Sequence, residues 1–172
     1  MGDQHSLTPT DQFERRLYLR LYPDSVLRHV CEPVERFDTA LEDLATEMLA
    51  LMRESNGIGL AAPQVGLSCQ LLVGEIDNQT LSLVNPVITS RSGVNKASEG
   101  CLSLPGGQVT VHRDEEICVS AFDVRGRRIK LGARLLWARL IEHEMDHFRG
   151  ILIIDHAGGR PLERGGAASS SW

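Results

Sequence analysis

The clearest chemical signal in this chain is the run His143-Glu144-Met145-Asp146-His147. On a helix, residues four apart turn through about 400° and return to one face, so both imidazoles stand about 6 Å apart. That spacing suits two ligands of one metal ion, and Glu144 beside them is a candidate general base. Leu136, Leu140 and Ile141 make the surrounding helix apolar. An imidazole pair buried there is costly unless it is liganded or hydrogen-bonded, so metal ligation is preferred over a chance pair of histidines. Asp146 falls on a different face and reads as a supporting or helix-surface group rather than a ligand.

A catalytic metal needs a third protein ligand and an open fourth position. His156 lies nine residues past His147, a poor match to H-E-x-x-H-x-x-G-x-x-H, whose third histidine follows sooner. The other candidate is Cys101, within Glu99-Gly100-Cys101-Leu102-Ser103-Leu104-Pro105. Gly, Ser and Pro there mark a tight loop or strand end, where a thiolate can be presented beside free backbone N–H groups. Taken alone, a cysteine is more often a buried thiol than a ligand, and spacing does not choose between these readings. A third segment, Gly57-Ile58-Gly59-Leu60-Ala61-Ala62-Pro63-Gln64, lacks the GK[ST] of a phosphate loop and follows no strand. Its small residues allow close backbone approach, and Gln64 supplies an amide donor.

Elements to position these residues can be read on either side of them. Asp38 can cap a helix over 38–54, in which Leu41, Leu44, Ala45, Met48, Leu49 and Met52 repeat at helical spacing before Asn56 and Gly57 stop it. A second helix is expected over about 132–148, ended by Gly150. Between them, short apolar runs at 71–73, 81–84, 109–111 and 117–122 are punctuated by Asn85-Pro86, Pro105-Gly106-Gly107 and Arg125-Gly126. They read as strands of antiparallel or mixed sheets. Residues 151–154 read as a further buried strand or turn. The expected architecture is α+β: sheets packed around a central HExxH helix, with an N-terminal amphipathic helix. One domain over 17–157 is flanked by a polar lead (1–16) and a Gly/Ser-rich stretch (158–172) that reads as a disordered end or expression scar.

The 172 residues, 42% hydrophobic and 24% charged, suffice for one packed domain. Eighteen Lys and Arg against 23 Asp and Glu leave a net charge of −5, which argues against a nucleic-acid-binding face. No apolar run approaches the roughly 20 residues needed to span a bilayer, and the first 16 residues lack a signal-peptide core. These features point to a soluble cytoplasmic protein. Cys31, Cys69 and Cys118 form no CxxC pair and read as small buried hydrophobes rather than disulfide partners. Residues 1–6 fit the loose M-G-x-x-x-[ST] acylation pattern, but without a second membrane signal they do not read as an anchor.

Taken together, GIGLAAPQ (57–64), EGCLS (99–103) and HEMDH (143–147) resemble the three motifs of the peptide deformylase family, GxGxAAxQ, EGCxS and HExDH. They stand in the family's order, with similar spacing, and the resemblance covers roughly residues 17–156. It implies one divalent ion per chain held by Cys101, His143 and His147, with water at the fourth position. It implies Glu144 as the group that takes the proton of that water and delivers it to the leaving amine. Gln64 and the Leu102 N–H would stabilise the oxyanion. The backbone at Gly57, Ile58 and Gly59 would pair with the substrate as an added strand, and Arg139 and Leu140 would wall the pocket for the first side chain. A Glu99–Arg113 pair would hold the cysteine loop.

The implied reaction is hydrolysis of the N-formyl group from the formyl-methionine of nascent polypeptides, releasing formate. The resemblance favours Fe(II) as the physiological ion, with Zn, Ni or Co accommodated by the same ligands. It implies formyl-methionyl nascent peptides as partners, leaves room for the ribosome, and suggests a monomer. Many bacterial members carry a long C-terminal helix where this chain has a short glycine-rich tail. Two other readings fit less well. A zinc endopeptidase would leave Cys101 and GIGLAAPQ without a role, and a binding-only relative would have lost Glu144 or Gln64.

Overall fold

The computed structural model describes residues 17–157. The expectations for 1–16, for the acylation pattern at Gly2 and for 158–172 lie outside the described residues. Helix α1 (Thr39–Glu54) begins as expected, with the Asp38 carboxylate accepting from the Leu41 N–H. Its buried side chains are Leu41, Ala45, Met48 and Met52, spaced four, three and four apart along one stripe. Seven strands follow: β1 (Gly59–Ala61), β2 (Leu71–Ile76), β3 (Gln79–Ser92), β4 (Asn95–Cys101), β5 (Leu104–Arg113), β6 (Glu116–Phe122) and β7 (Arg128–Arg134). Helix α2 (Leu136–His147) comes next, and a 3₁₀ turn over Ile153–His156 closes the described chain.

The strands form a five-stranded antiparallel sheet in the order β1-β2-β3-β6-β7 and a separate β4-β5 hairpin. Both faces of the larger sheet are covered. Leu60, Leu71, Val73 and Val84 pack with the apolar stripe of α1, while Ala61, Leu72, Leu83, Ile117 and Val119 pack with Ala138, Leu140 and Ile141 of α2. This explains the uninterrupted apolar run at 71–73, because successive side chains of β2 each meet a helix. Helix α2 is consequently central, and its polar residues Glu142, His143, Glu144, Asp146 and His147 are buried with its apolar ones.

Several expectations are corrected. The second helix starts at Leu136, not near 132, because Gly132 pairs with Cys118 in the β6–β7 ladder. The chain turns from strand to helix at Leu135, whose φ of 49° and ψ of −112° suit no regular element. Asn85-Pro86 does not end a strand: β3 runs through it, absorbing Asn85 (φ 50°) as an irregularity between Val84 and Val87. The Asn85 side chain there accepts from the Val34 N–H and donates to the Val34 carbonyl, both at 2.8 Å. Cys118 is exposed rather than buried, since alternation along β6 turns it outward between buried Ile117 and Val119. Cys31 is buried and Cys69 half-buried, and all four cysteines are free. Of the two readings for 151–154, strand or turn, the turn holds: Ile153–His156 is a 3₁₀ turn.

Candidate metal and active site

Three segments far apart in sequence meet on one face of α2. The β4–β5 hairpin brings Cys101, the last residue of β4, to the helix, with Leu102 and Ser103 forming its turn. Cys101 Sγ lies 3.4 Å from His147 Nε2. The rings of His143 and His147 stand edge to face with centroids 5.2 Å apart, as the i, i+4 spacing requires. One donor atom from each of Cys101, His143 and His147 lies within 4.8 Å of the others. His143 uses Nδ1 on Glu99 Oε2 at 3.0 Å, leaving Nε2 for the site. A thiolate and two imidazoles form a borderline-soft set of three, which suits a divalent transition ion and leaves a fourth position open. The donors present therefore fit a metal.

Glu144 lies beside this set, 4% exposed, and its Oε2 has no hydrogen-bond partner. Burial pushes its carboxyl up to about 7, against the charge of His143 and with that of Glu99. Gly59 is what makes room for it. A methyl placed there would overlap Glu144 Oε1 and stand 3.1 Å from both Glu144 Cδ and Leu140 Cγ. Gln64 follows Pro63 in the 3₁₀ turn Ala62–Val65 and is 1% exposed. Its Oε1 accepts from the Ala61 N–H at 2.8 Å, which aims Nε2 at Ser103 Oγ (3.2 Å) and Cys101 Sγ (3.5 Å). Ser103 is fully buried and carries a contact that sequence reasoning missed; its place inside EGCLS is the signal that points to it.

The imidazoles titrate far apart. Burial alone would lower His143, but hydrogen bonds with Cys101 and Glu99 outweigh it and raise the ring to about 10. Burial pushes His147 down to about 3, with the His143 charge adding to the effect. A divalent cation would compete with the His143 proton for the same site. Glu99 is held by Arg113 as well. Arg113 Nε and Nη2 each donate to its carboxylate at 2.9 Å, the fork geometry of a strong charge-assisted pair. Burial would raise the Glu99 carboxyl, but the hydrogen bonds from His143 and Arg113 hold it down to about 2. Across the hairpin Arg113 faces Asn95 rather than Glu99, and its side chain reaches back along β4 to make the pair. Asp146, read as supporting or surface, is buried and accepts from Arg113 Nη1 at 2.6 Å.

The remaining candidates lie around this centre. Gly57 packs so closely on Leu102 that a methyl would stand 2.6 Å from its Cδ1. Ile58 is exposed, and its carbonyl accepts from the Glu75 N–H at 2.8 Å on the sheet side. β1 is an edge strand of the larger sheet and pairs only with β2 among the described strands. Leu140 is buried against Gly59 and Gly74. The Arg139 guanidinium turns to the Asn95 side chain and lies 3.9 Å from Glu99 Oε1.

The polypeptide deformylase family model matches residues 17–161, well over half of the chain. The chain belongs to the polypeptide deformylase family. It is 42% identical over 139 residues to the peptide deformylase of Dictyoglomus thermophilum, covering 81% of this chain and 91% of that one. Its fold matches the crystal structure of the Thermotoga maritima peptide deformylase with a TM-score of 0.79 at 36% identity, covering 81% and 95% of the two chains. A peptide deformylase from Synechococcus elongatus, solved in complex with actinonin, matches with a TM-score of 0.80 at 41% identity over 84% and 82%. The family consists of metalloenzymes that remove the N-formyl group from newly made polypeptides, and this chain is such a hydrolase. Among the described residues, no helix is long and apolar enough to cross a membrane.

Proposed function

We propose that the deformylation reaction is carried out by the residues gathered on α2, with the domain over 17–157 as its catalytic unit. Cys101, His143 and His147 hold one divalent ion. When bound, that ion supplies Lewis acidity and lowers the pKa of water. Glu144 Oε2, buried and unpartnered, takes the proton of the attacking water and returns it to the leaving amine nitrogen. The Gln64 amide, fixed through Ala61, and the Leu102 N–H donate to the oxygen that gains charge as the formyl carbon becomes tetrahedral. Glu99 and Arg113 fix the tautomer and direction of His143. The backbone of Gly57, Ile58 and Gly59 receives the peptide as an added strand on the β1 edge, and Leu140 with the Arg139 stem walls the methionine pocket. Fe(II) is the proposed physiological ion, the cytoplasm the proposed compartment, and a monomer that meets nascent chains near the ribosome the proposed state.

The observation that carries the assignment is the meeting of three metal-type donors within 4.8 Å of one another beside a buried carboxylate with a free oxygen. The test is formate release from formyl-Met-Ala-Ser by protein purified anaerobically and supplied with Fe(II), Ni(II) or Zn(II). Turnover abolished by a chelator is expected, and Cys101→Ser should lose the bound ion. Full metal occupancy in that variant would reject the ligand set.

A further inference from the structure

His156 is not among the metal donors, yet it is tied to them through a continuous chain of hydrogen bonds, buried beyond its first link. Its Nε2 meets Asp146 Oδ2 at 2.9 Å. The same oxygen accepts from Arg113 Nη1, Arg113 forks onto Glu99, and Glu99 Oε2 meets His143 Nδ1. Asp146, Arg113, Glu99 and His143 are all buried, and the His156 side chain is 15% exposed.

The turn that presents His156 is itself clamped. Arg28, near the start of the described chain, donates to the Gly150 carbonyl at 3.0 Å and forks onto Asp155. Asp155 Oδ2 in turn accepts from the Leu152 N–H at 2.8 Å. His156 is thus held against α2 by contacts that do not depend on Asp146.

We propose that His156 is a positioning residue for the metal site, fixing the Asp146 carboxylate so that Arg113 and Glu99 hold His143 in its ligating orientation. The argument rests on which oxygen each donor uses. Arg149, half-exposed, donates to Asp146 Oδ1, whereas His156 and Arg113 share Oδ2. Without His156, the carboxylate keeps Arg149 on one oxygen and loses the donor that aligns the other toward Arg113. Arg113 then keeps its fork on Glu99, but the Asp146 oxygen that takes its Nη1 is less firmly placed. The consequence reaches His143 as looser retention of the ion, not as a changed proton transfer, because Glu144 and Gln64 are outside this chain of bonds.

This inference rests on the ligand set proposed above, and the experiment separates the two. Protein loaded with Co(II) is challenged with excess chelator while the Cys101 thiolate-to-Co(II) charge-transfer band is followed. Loss of a partner bonded directly to a ligand lowers metal affinity by about 10–100-fold. His156 is further removed, so His156→Phe and His156→Leu should each release the ion about tenfold faster than the parent protein. His156→Gln, whose amide can donate from a similar distance, should restore the parent rate to within about twofold. Arg149→Ala should leave the rate unchanged. Release from both donor-free variants within twofold of the parent overturns the proposal, as does equal acceleration in His156→Gln or Arg149→Ala, since packing or net charge would then suffice. If Cys101→Ser keeps both ion and band, the ligand set has failed and the positioning role with it.

Discussion

A methyl group added at Gly59 would occupy space that Glu144 now fills. In the folded chain the new Cβ would overlap Glu144 Oε1 and stand 3.1 Å from Glu144 Cδ and from Leu140 Cγ. Carbon atoms in good contact sit about 3.5–4.0 Å apart, so the carboxyl carbon must retreat by about 0.4–0.9 Å and the oxygen by more. Glu144 can yield, because its Oε2 has no partner to resist the movement. A misplacement near 1 Å at the reacting groups costs on the order of 10² in rate. Gly59→Ala should therefore lower kcat for formyl-Met-Ala-Ser about 10²-fold with one metal ion still bound per chain, since none of the three donors lies against Gly59. Gly100→Ala is the control. It stands next to Cys101, but its Cβ would meet only the Gly107 carbonyl, at 3.7 Å, so activity within about threefold of the parent is expected. Formate release, metal analysis and thermal unfolding should be measured on the same preparations. A Gly59→Ala enzyme with kcat within threefold of the parent would refute the placement of Glu144 as the proton-transfer group.

Glu144→Ala should retain its metal and lose at least about 10²-fold in rate, the scale of general acid–base catalysis; near-normal turnover would reject that role. Leu135→Gly should stabilise the fold. A leucine at φ 49°, ψ −112° holds a conformation that costs about 1–3 kcal/mol, and this one is half-exposed, so little burial is lost. After the entropy cost of glycine in the unfolded chain, a net gain of about 1 kcal/mol and a Tm rise of a few degrees are expected in thermal unfolding. In metal-free protein the Glu99 carboxyl is held down to about 2, below its unfolded value, so its stabilising contribution is complete above about pH 4.5 and fades as the pH falls toward 2. The Tm deficit of Glu99→Gln should accordingly stay level from neutrality to about pH 5 and shrink in more acidic buffer; a deficit that grows there would reverse the assigned sign.

Local sequence determined the parts that depend on short-range geometry. The Asp38 cap and the apolar stripe of α1 are set within a turn or two of helix, and the distance between the His143 and His147 rings follows from i, i+4 spacing alone. The three motifs announced the chemistry together: each alone has other uses, and it is their order and spacing in one chain that are specific. The Glu99–Arg113 pair was expected to hold the cysteine loop, and Arg113 makes it from a register position opposite Asn95.

Tertiary structure decided everything that required two distant segments to meet. Spacing made His156 a poor third ligand but left Cys101 open between a ligand and a buried thiol, and only the family resemblance favoured the ligand. The hairpin turn over 102–103 delivers the thiol to His147, while the Arg28 clamp carries His156 to the far side of Asp146. Gly132 opposes a helix only weakly, and the ladder with β6 is what makes Gly132-Ala133-Arg134 a strand. Cys118 sits in an apolar run whose inward and outward positions are indistinguishable until the sheet has two neighbours. Ser103 became a functional candidate only when burial showed what it touches, and burial decided between the supporting and surface readings of Asp146. Periodicity and caps record interactions within about one helical turn. Ligand choice, burial of charge and strand register are set by contacts between residues dozens of positions apart, which no local pattern encodes.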